Sequence, residues 1–223
     1  MSVALQRIKV NDYGEGGRLE ACGFGMKNVP INRCWCSGQQ KRIFLLCKSI
    51  GLLCFWALAA FAGGSETLIY ETFDDLQRWE PLAFKNIDRH TDYSIVDDDG
   101  NSVLKAASND SASALIMRKT YDITTYPMLS WRWKTRSVYE DGNAATRDGD
   151  DFPVRVYVMF EYVPANVGWL TRAKYALAKQ FYGRYPPYRT LNYVWANRPR
   201  ERETMPSAYT RRARLVFLQK GSR

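Results

Sequence analysis

The chain has 223 residues and a formal net charge of +9, with 46% apolar and 14% aromatic residues. The apolar fraction is enough for a packed core, which excludes a disordered chain, and the length suits one ordinary domain. The charge is uneven, because residues 63–163 hold 11 Lys and Arg against 18 Asp and Glu, whereas residues 164–223 hold 13 against 2. No nucleic-acid motif accompanies the basic end, so we interpret it as a solvated strand face and predict no nucleic-acid partner.

The first 62 residues have the composition of a leader. Residues 1–40 show no sustained apolar period and predict disorder. Residues 41–62 form a basic start, an apolar run and a small-residue end, as in a signal peptide cleaved after Ala62. Because a signal peptide normally begins a chain, the 40 residues before it indicate that the true start codon lies downstream of Met1. We therefore expect an exported protein, periplasmic or extracellular, without stable membrane insertion after cleavage. The alternative is an uncleaved membrane anchor helix over residues 43–62.

Cysteine and histidine usage limits the chemistry of the remaining chain. All five cysteines precede residue 55, so the predicted mature part has no thiol chemistry and no disulfide. His90 is the only histidine of the whole sequence, which argues against a multi-histidine metal site. We predict neither a metal nor a cofactor.

Residues 63–223 predict a single β-sandwich domain of short strands separated by Gly, Asp and Pro turns. Residues 93–106 form a hairpin around the Asp99-Gly100 turn, since these residue types accept the positive φ of a tight turn. Further strands are predicted at 68–75, 112–119, 121–123, 191–195 and 213–218. One amphipathic helix is inserted between Asn166 and Gly183, and its apolar stripe is expected to pack across the sandwich. The alternative is that the basic outer face of this helix lies on a membrane.

The block from 126 to 162 is predicted to organise the domain and to carry its site. Residues 126–135 and 154–162 alternate as strands of one half-buried antiparallel sheet, and a polar loop that ends in an acidic run joins them. The loop brings carboxylates to the rim of a sheet that carries basic and aromatic side chains. The candidate ligand-binding residues are Trp131, Trp133, Asp150, Asp151, Arg155 and Tyr157.

Several uncommon strings resemble one family when they are taken together. FDDLxxWE, YPxLSWRWK, DGDDFPVRVYVMF and LNYVWANR occur in this order, and the likeness covers about residues 68–220. They are similar to a bacterial exported family known as domain of unknown function 3047. The resemblance implies an all-β, jelly-roll-like antiparallel sandwich but no reaction. Family members continue past the strand that matches 213–218, so the resemblance also implies a C-terminally truncated member that lacks its last strands.

Three functions remain open on the sequence. The first is a binding module for a glycan or another polar ligand, in which rings stack on sugars and carboxylates accept hydroxyl groups. The second is an envelope structural or interaction protein without a small ligand. The third is a carboxylate-dependent glycan-cleaving enzyme, but the adjacent Asp150 and Asp151 point to opposite faces and cannot both serve, so we assign no catalytic residue. The sequence does not predict the oligomeric state.

Overall fold

A computed structural model describes residues 2–12, 25–30, 66–84, 87–198 and 202–221. The predicted signal peptide therefore lies outside the described residues, and no helix among the described ones is long and apolar enough to cross a membrane. The described residues form twelve strands and one α-helix. These are β1 Ser2–Asn11, β2 Gly25–Pro30, β3 Thr67–Glu71, β4 Trp79–Ala83, β5 Asp92–Asp98, β6 Asn101–Ala107, β7 Ser113–Met117, β8 Met128–Thr135, β9 Arg155–Phe160, α1 Trp169–Tyr182, β10 Arg189–Ala196, β11 Thr204–Pro206 and β12 Ala213–Lys220.

The first sheet has six strands, and β1 lies at its centre. Its order is β2-β8-β1-β6-β5, with β3 also pairing with β1. One edge of β1 pairs with β8, whereas the other edge is shared by β6 along residues 2–5 and by β3 along residues 8–11. The register shifts between Gln6 and Ile8, where Arg7 has a φ of 46°. This bulge lies where β1 changes from one partner strand to the other.

The prediction of disorder over residues 1–40 is wrong for 2–11 and 25–30, which are β1 and β2. Ile8 and Val10 are buried in the main core, so β1 has the alternation of a half-buried strand. The apolar alternation of β1 is too short to identify a strand from the sequence of residues 2–11 alone. Its partner strands lie about sixty to 130 residues further along the chain, so only the folded structure shows what β1 pairs with.

The second sheet has the order β11-β12-β10-β9. Strand β10 is antiparallel to β9 but parallel to β12, so one pair departs from the antiparallel arrangement of the other strands. The connection over residues 197–212 is long enough to return the chain to the starting end of β10, which a parallel pair requires. Within that connection, β11 pairs antiparallel with β12.

The two sheets pack face to face and enclose one main core, as the sandwich prediction requires. Trp131 and Trp133 of β8 contact Tyr193 and Trp195 of β10 across the interior, with ring centroids 5.3 Å and 6.0 Å apart for the two facing pairs. The Trp133 indole N–H donates a hydrogen bond to the side-chain oxygen of Gln219 in β12. A separate two-stranded sheet, β4-β7, adds partly buried side chains to the same core. The all-β sandwich prediction is confirmed.

The block predicted to form one sheet is instead divided between two. Strand β8 belongs to the six-stranded sheet and β9 to the four-stranded sheet, so the two strands do not pair. Alternation along each strand does not specify which strands are neighbours, because many apolar faces in a sandwich are equivalent by pattern. The strand predicted at 121–123 is also wrong, since these residues lead into a turn.

The local predictions with distinctive turn residues are confirmed. Strands β5 and β6 form the expected hairpin, and both Asp99 and Gly100 have positive φ. Helix α1 ends at Gly183, whose φ of 70° makes it a left-handed C-cap. The expected packing of the helix is wrong, however, because its apolar stripe faces solvent and only Tyr175 is buried among the helix side chains that the structure describes.

Candidate functional site

The candidate site lies on the side of the four-stranded sheet that faces away from the main core, which we call the outer face. Along β9, Arg155, Tyr157 and Met159 alternate with inward-facing valines that pack on the main core. Asn192 of β10 is in register with Tyr157, so the two residues share the outer face. Tyr157 and Met159 are about 40% exposed, whereas Asn192 is buried.

The loop of residues 139–151, which we call the rim loop, is held at one end of the outer face by an asparagine. The Asn197 side-chain oxygen accepts the Tyr139 amide N–H at 3.0 Å, and its amide nitrogen donates to the Asp151 carbonyl at 2.5 Å. A Cβ at Gly142 would collide with the Asn197 side chain, so glycine is required there. The start and the end of the loop are thereby fixed to each other.

Apolar contacts also fix the rim loop to the outer face. Ala144 of the loop and Phe152, which follows it, form a second small core with Val194, Ala196 and residues of β12. The rings of Phe152 and Phe217 have centroids 6.0 Å apart. Because buried apolar contacts of this kind are close-packed, the acidic end of the loop has a defined position on the sheet.

Asp150 and Arg155 form a buried ion pair at the point where the loop meets β9. The Arg155 Nη1 donates to Asp150 Oδ2 at 3.2 Å, and Nη2 donates to the Asp150 carbonyl oxygen. The guanidinium also lies over the ring of Phe152, 4.8 Å from its centroid. Burial raises the pKa of Asp150, and the adjacent Arg155 opposes this rise without cancelling it. The carboxylate is thus kept out of water with only part of its hydrogen-bonding capacity used.

Two buried acceptor oxygens on this side of the sheet have no hydrogen-bond partner among the described residues. They are Oδ1 of Asp150 and Oδ1 of Asn192. A buried polar atom of this kind costs about 1–3 kcal/mol, and such atoms are uncommon in folded proteins. Asn192 lies on the outer face opposite Tyr157, and Asp150 is hydrogen-bonded to Arg155 of the same face. Both oxygens are covered by neighbouring side chains, so a ligand donor reaches them only if those side chains move.

The structure separates the six residues that the sequence grouped together. Asp150, Arg155 and Tyr157 lie on or against the outer face, and Asp151 is exposed next to them at the end of the loop. Trp131 and Trp133 are each 1% exposed on β8 of the six-stranded sheet, within the main core between the two sheets. In this arrangement the two indoles stabilise the sandwich and do not reach the outer face.

Sequence reasoning missed two asparagines that the structure brings to the site. Asn192 and Asn197 belong to the segment around β10, in which the other residues from 191 to 196 are buried and mostly apolar. A polar residue within a buried strand needs a hydrogen-bond partner or a role, and this signal was present in the sequence. The pairing of Asn197 with both ends of the rim loop was not predictable, since 46 residues separate it from Asp151.

Other polar regions of the described chain carry less chemistry. No group of three or more His, Cys, Asp or Glu side chains that could hold a metal ion occurs in the described ranges. A shallow cleft beside β3, β4 and β7 is lined by Arg78, Glu80 and Arg118 among others. Arg118 pairs with Glu80, and Arg78 pairs with the buried Glu71 at 3.2 Å. Both arginines of the cleft are thus engaged in ion pairs, and Lys119 lies beside them in the lining.

Comparison with known proteins places residues 77–223 in one family. They match the model described as "Protein of unknown function (DUF3047)". No curated protein and no solved structure matches the chain significantly. The match begins after β3 and includes the rim loop, the whole four-stranded sheet and helix α1. Because it spans well over half of the sequence, the chain belongs to the DUF3047 family.

Proposed function

We propose that the chain is a binding module for a polar ligand rich in hydrogen-bond donors, with glycans as the ligand class. The observation that carries the proposal is the pair of buried acceptors, Asp150 Oδ1 and Asn192 Oδ1, which have no partner within the described part of the chain. Folding leaves these oxygens unsatisfied at a cost, and a ligand hydroxyl that displaces the side chains covering them and donates to either oxygen recovers that cost.

Tyr157 supplies the apolar part of the proposed contact. It is 40% exposed in the same face, directly opposite Asn192 in the strand register. A sugar presents hydroxyl groups at its edge and C–H groups on its ring face, which suits a hydrogen-bond acceptor next to an aromatic ring. Arg155 takes the role of a positioning residue, because its guanidinium is bonded to Asp150 and holds that carboxylate in place.

A structural or interaction role in the cell envelope is the second candidate, and the burial of Trp131 and Trp133 favours it. Of the three aromatic candidates, Trp131 and Trp133 are buried, so the outer face exposes only the ring of Tyr157. The cleaving enzyme has less support. Burial raises the pKa of Asp150, as a general acid requires, but the ion pair with Arg155 engages it and the mechanism needs a second carboxylate across a cleft. Export remains part of the proposal and depends on the sequence of residues 41–62 alone.

A glycan array probed with the full chain tests the proposal, followed by calorimetric titration of any ligand found. Tyr157→Ala is expected to weaken binding about tenfold, because stacking on one aromatic ring contributes on the order of 1 kcal/mol or more. The matched control is Met159→Ala, which removes an equally exposed side chain two residues further along the same face. No binding to any glycan, or equal weakening by both variants, would contradict the proposed site.

A further inference from the structure

Helix α1 exposes an apolar stripe to solvent. Leu170, Leu177 and Phe181 recur at helical spacing, so they lie on one face, and they are 58%, 55% and 76% exposed. Trp169, at the first position of the helix, is 72% exposed. Single exposed apolar residues are normal, but a continuous row on one helix marks an interaction surface.

Contacts of Tyr175, on the side of α1 away from the stripe, hold the helix in this orientation. Tyr175 is buried and stacks on Tyr162, with ring centroids 3.9 Å apart and an interplanar angle of 17°. Its hydroxyl donates to the carbonyl of Pro187 at 3.1 Å and accepts from Nη1 of Arg212 at 2.8 Å. Rotation of the stripe toward the sandwich would break these contacts, so the apolar face is fixed outward.

The charges around the stripe select the partner. Residues 162–200 contain seven Lys and Arg and no Asp or Glu. Within the helix, Arg172, Lys174 and Lys179 are all exposed, and Lys174 adjoins the stripe. Lys179 lies 4.8 Å from the ring centroid of Tyr185, at the base of the helix. A second copy docking by the same face would bring two purely cationic segments together, which electrostatic repulsion disfavours.

We propose that α1 lies on the surface of a membrane that contains anionic phospholipid, with its apolar stripe buried at the headgroup boundary. A helix with Leu and Phe along one exposed face, Lys174 within that face and Trp169 in its first turn has the composition of an interfacial helix. Lys174 attracts anionic headgroups, and its apolar stem lies along the stripe while its charge stays at the headgroup level. This surface is separate from the outer face, so the inference does not depend on the proposed glycan function.

Quenching of Trp169 fluorescence by brominated lipid tests the proposal on the full chain. Vesicles of brominated phosphatidylglycerol with phosphatidylcholine are compared with vesicles of brominated phosphatidylcholine alone. Trp56 lies in the apolar run of residues 43–62, so the signal of Trp169→Phe is subtracted to isolate Trp169. We expect the difference signal to be quenched on the anionic vesicles and to weaken as the salt concentration rises.

Variants of the stripe give the second measurement. The double variant Leu177→Ser, Phe181→Ser is expected to raise the lipid concentration at half-saturation of Trp169 quenching by at least about tenfold, because each side chain that the membrane buries contributes to partitioning. Both side chains are exposed, so the melting temperature should not change. The control double variant Phe84→Ser, Ile87→Ser alters two other exposed apolar residues and should leave quenching unchanged.

Three results would overturn the proposal. The first is an absence of Trp169 quenching on anionic vesicles, and the second is equal quenching on neutral and anionic vesicles. The third is a wild-type chain that shows no quenching and forms a dimer, together with a stripe variant that is monomeric. That result would assign the surface to a second copy. Quenching that requires the anionic lipid and the stripe would support it.

Discussion

Replacing Asn192 by leucine should make the protein more stable and its proposed site weaker. Asn192 is 4% exposed, its Oδ1 has no partner among the described residues, and its register neighbours on the outer face are Tyr157 and Leu215. Leucine has the same branching at Cγ, so Asn192→Leu removes the unsatisfied oxygen with little change of shape. An orphaned buried acceptor costs about 1–3 kcal/mol, and we expect a gain in unfolding free energy within that range.

The measurement is urea denaturation followed by tryptophan fluorescence, with the melting temperature as a second readout. A gain of 1 kcal/mol corresponds to about 2–4 °C in a chain of this size. Gln6→Met is the matched control, because Gln6 of β1 is also 4% exposed with an unpartnered side-chain oxygen among the described residues. Both variants should be stabilised, but only Asn192→Leu should lose glycan affinity.

The stability result refutes the reasoning if it has the opposite sign. A loss of 1 kcal/mol or more in Asn192→Leu would mean that the Asn192 side chain is satisfied in solution and that its oxygen is not reserved for a ligand. Unchanged affinity in a stabilised Asn192→Leu variant would leave the stability argument intact but would remove Asn192 from the binding site.

Three further predictions address the ion pair, the central strand and the helix end. Burial raises the pKa of Asp150 in the folded chain above the ordinary value of 3.8, so the folded state is stabilised when the Asp150 carboxyl is protonated. This stabilisation is complete below pH 3.8 and is lost as pH rises through the raised pKa. The unfolding free energy of the wild type minus that of Asp150→Asn should therefore fall as pH rises from 3.8, measured by urea denaturation at a series of pH values. Deleting residues 1–12 should lower the unfolding free energy by about 3–6 kcal/mol, measured by the same denaturation, because Ile8 and Val10 leave the core. Gly183→Ala should cost about 1 kcal/mol, seen as a lower melting temperature, because alanine is strained at a φ of 70°.

Local chemistry accounts for the parts of the fold that the sequence predicts. The Asp99-Gly100 turn, the left-handed Gly183 and the alternation along β8 and β9 each depend on residues within one short stretch. The pairing of β8 with β1 and of β10 with β12 depends on residues far apart in the chain, and equivalent apolar faces give no local sign of which partner is chosen. For this reason the sequence predicted β8 and β9 in one sheet, whereas the structure places them in two.

The candidate site was partly predictable for the same reason. Arg155 and Tyr157 alternate with the inward valines of β9, so their common face follows from the strand period. The same period places Trp131 and Trp133 on one face of β8 but does not say whether that face meets solvent or a second sheet. In the folded sandwich Tyr193 and Trp195 cover that face, so the two indoles are buried. This contact joins distant parts of the chain and does not follow from the strand period.

The position of strand β1 conflicts with the predicted cleavage of the signal peptide. β1 covers residues 2–11 and pairs along both edges, whereas the predicted cleavage after Ala62 would separate it from every strand from β3 onward. Cleavage with release of the leader would expose the facing edges of β6 and β8, and unpaired edges in the middle of a sheet are open to any extended segment that can pair with them. Cleavage and the observed sheet are therefore compatible only if β1 stays bound after it is cut. A membrane-spanning segment over residues 43–62 would also place β1 and β3 on opposite sides of the bilayer, where the two strands could not pair.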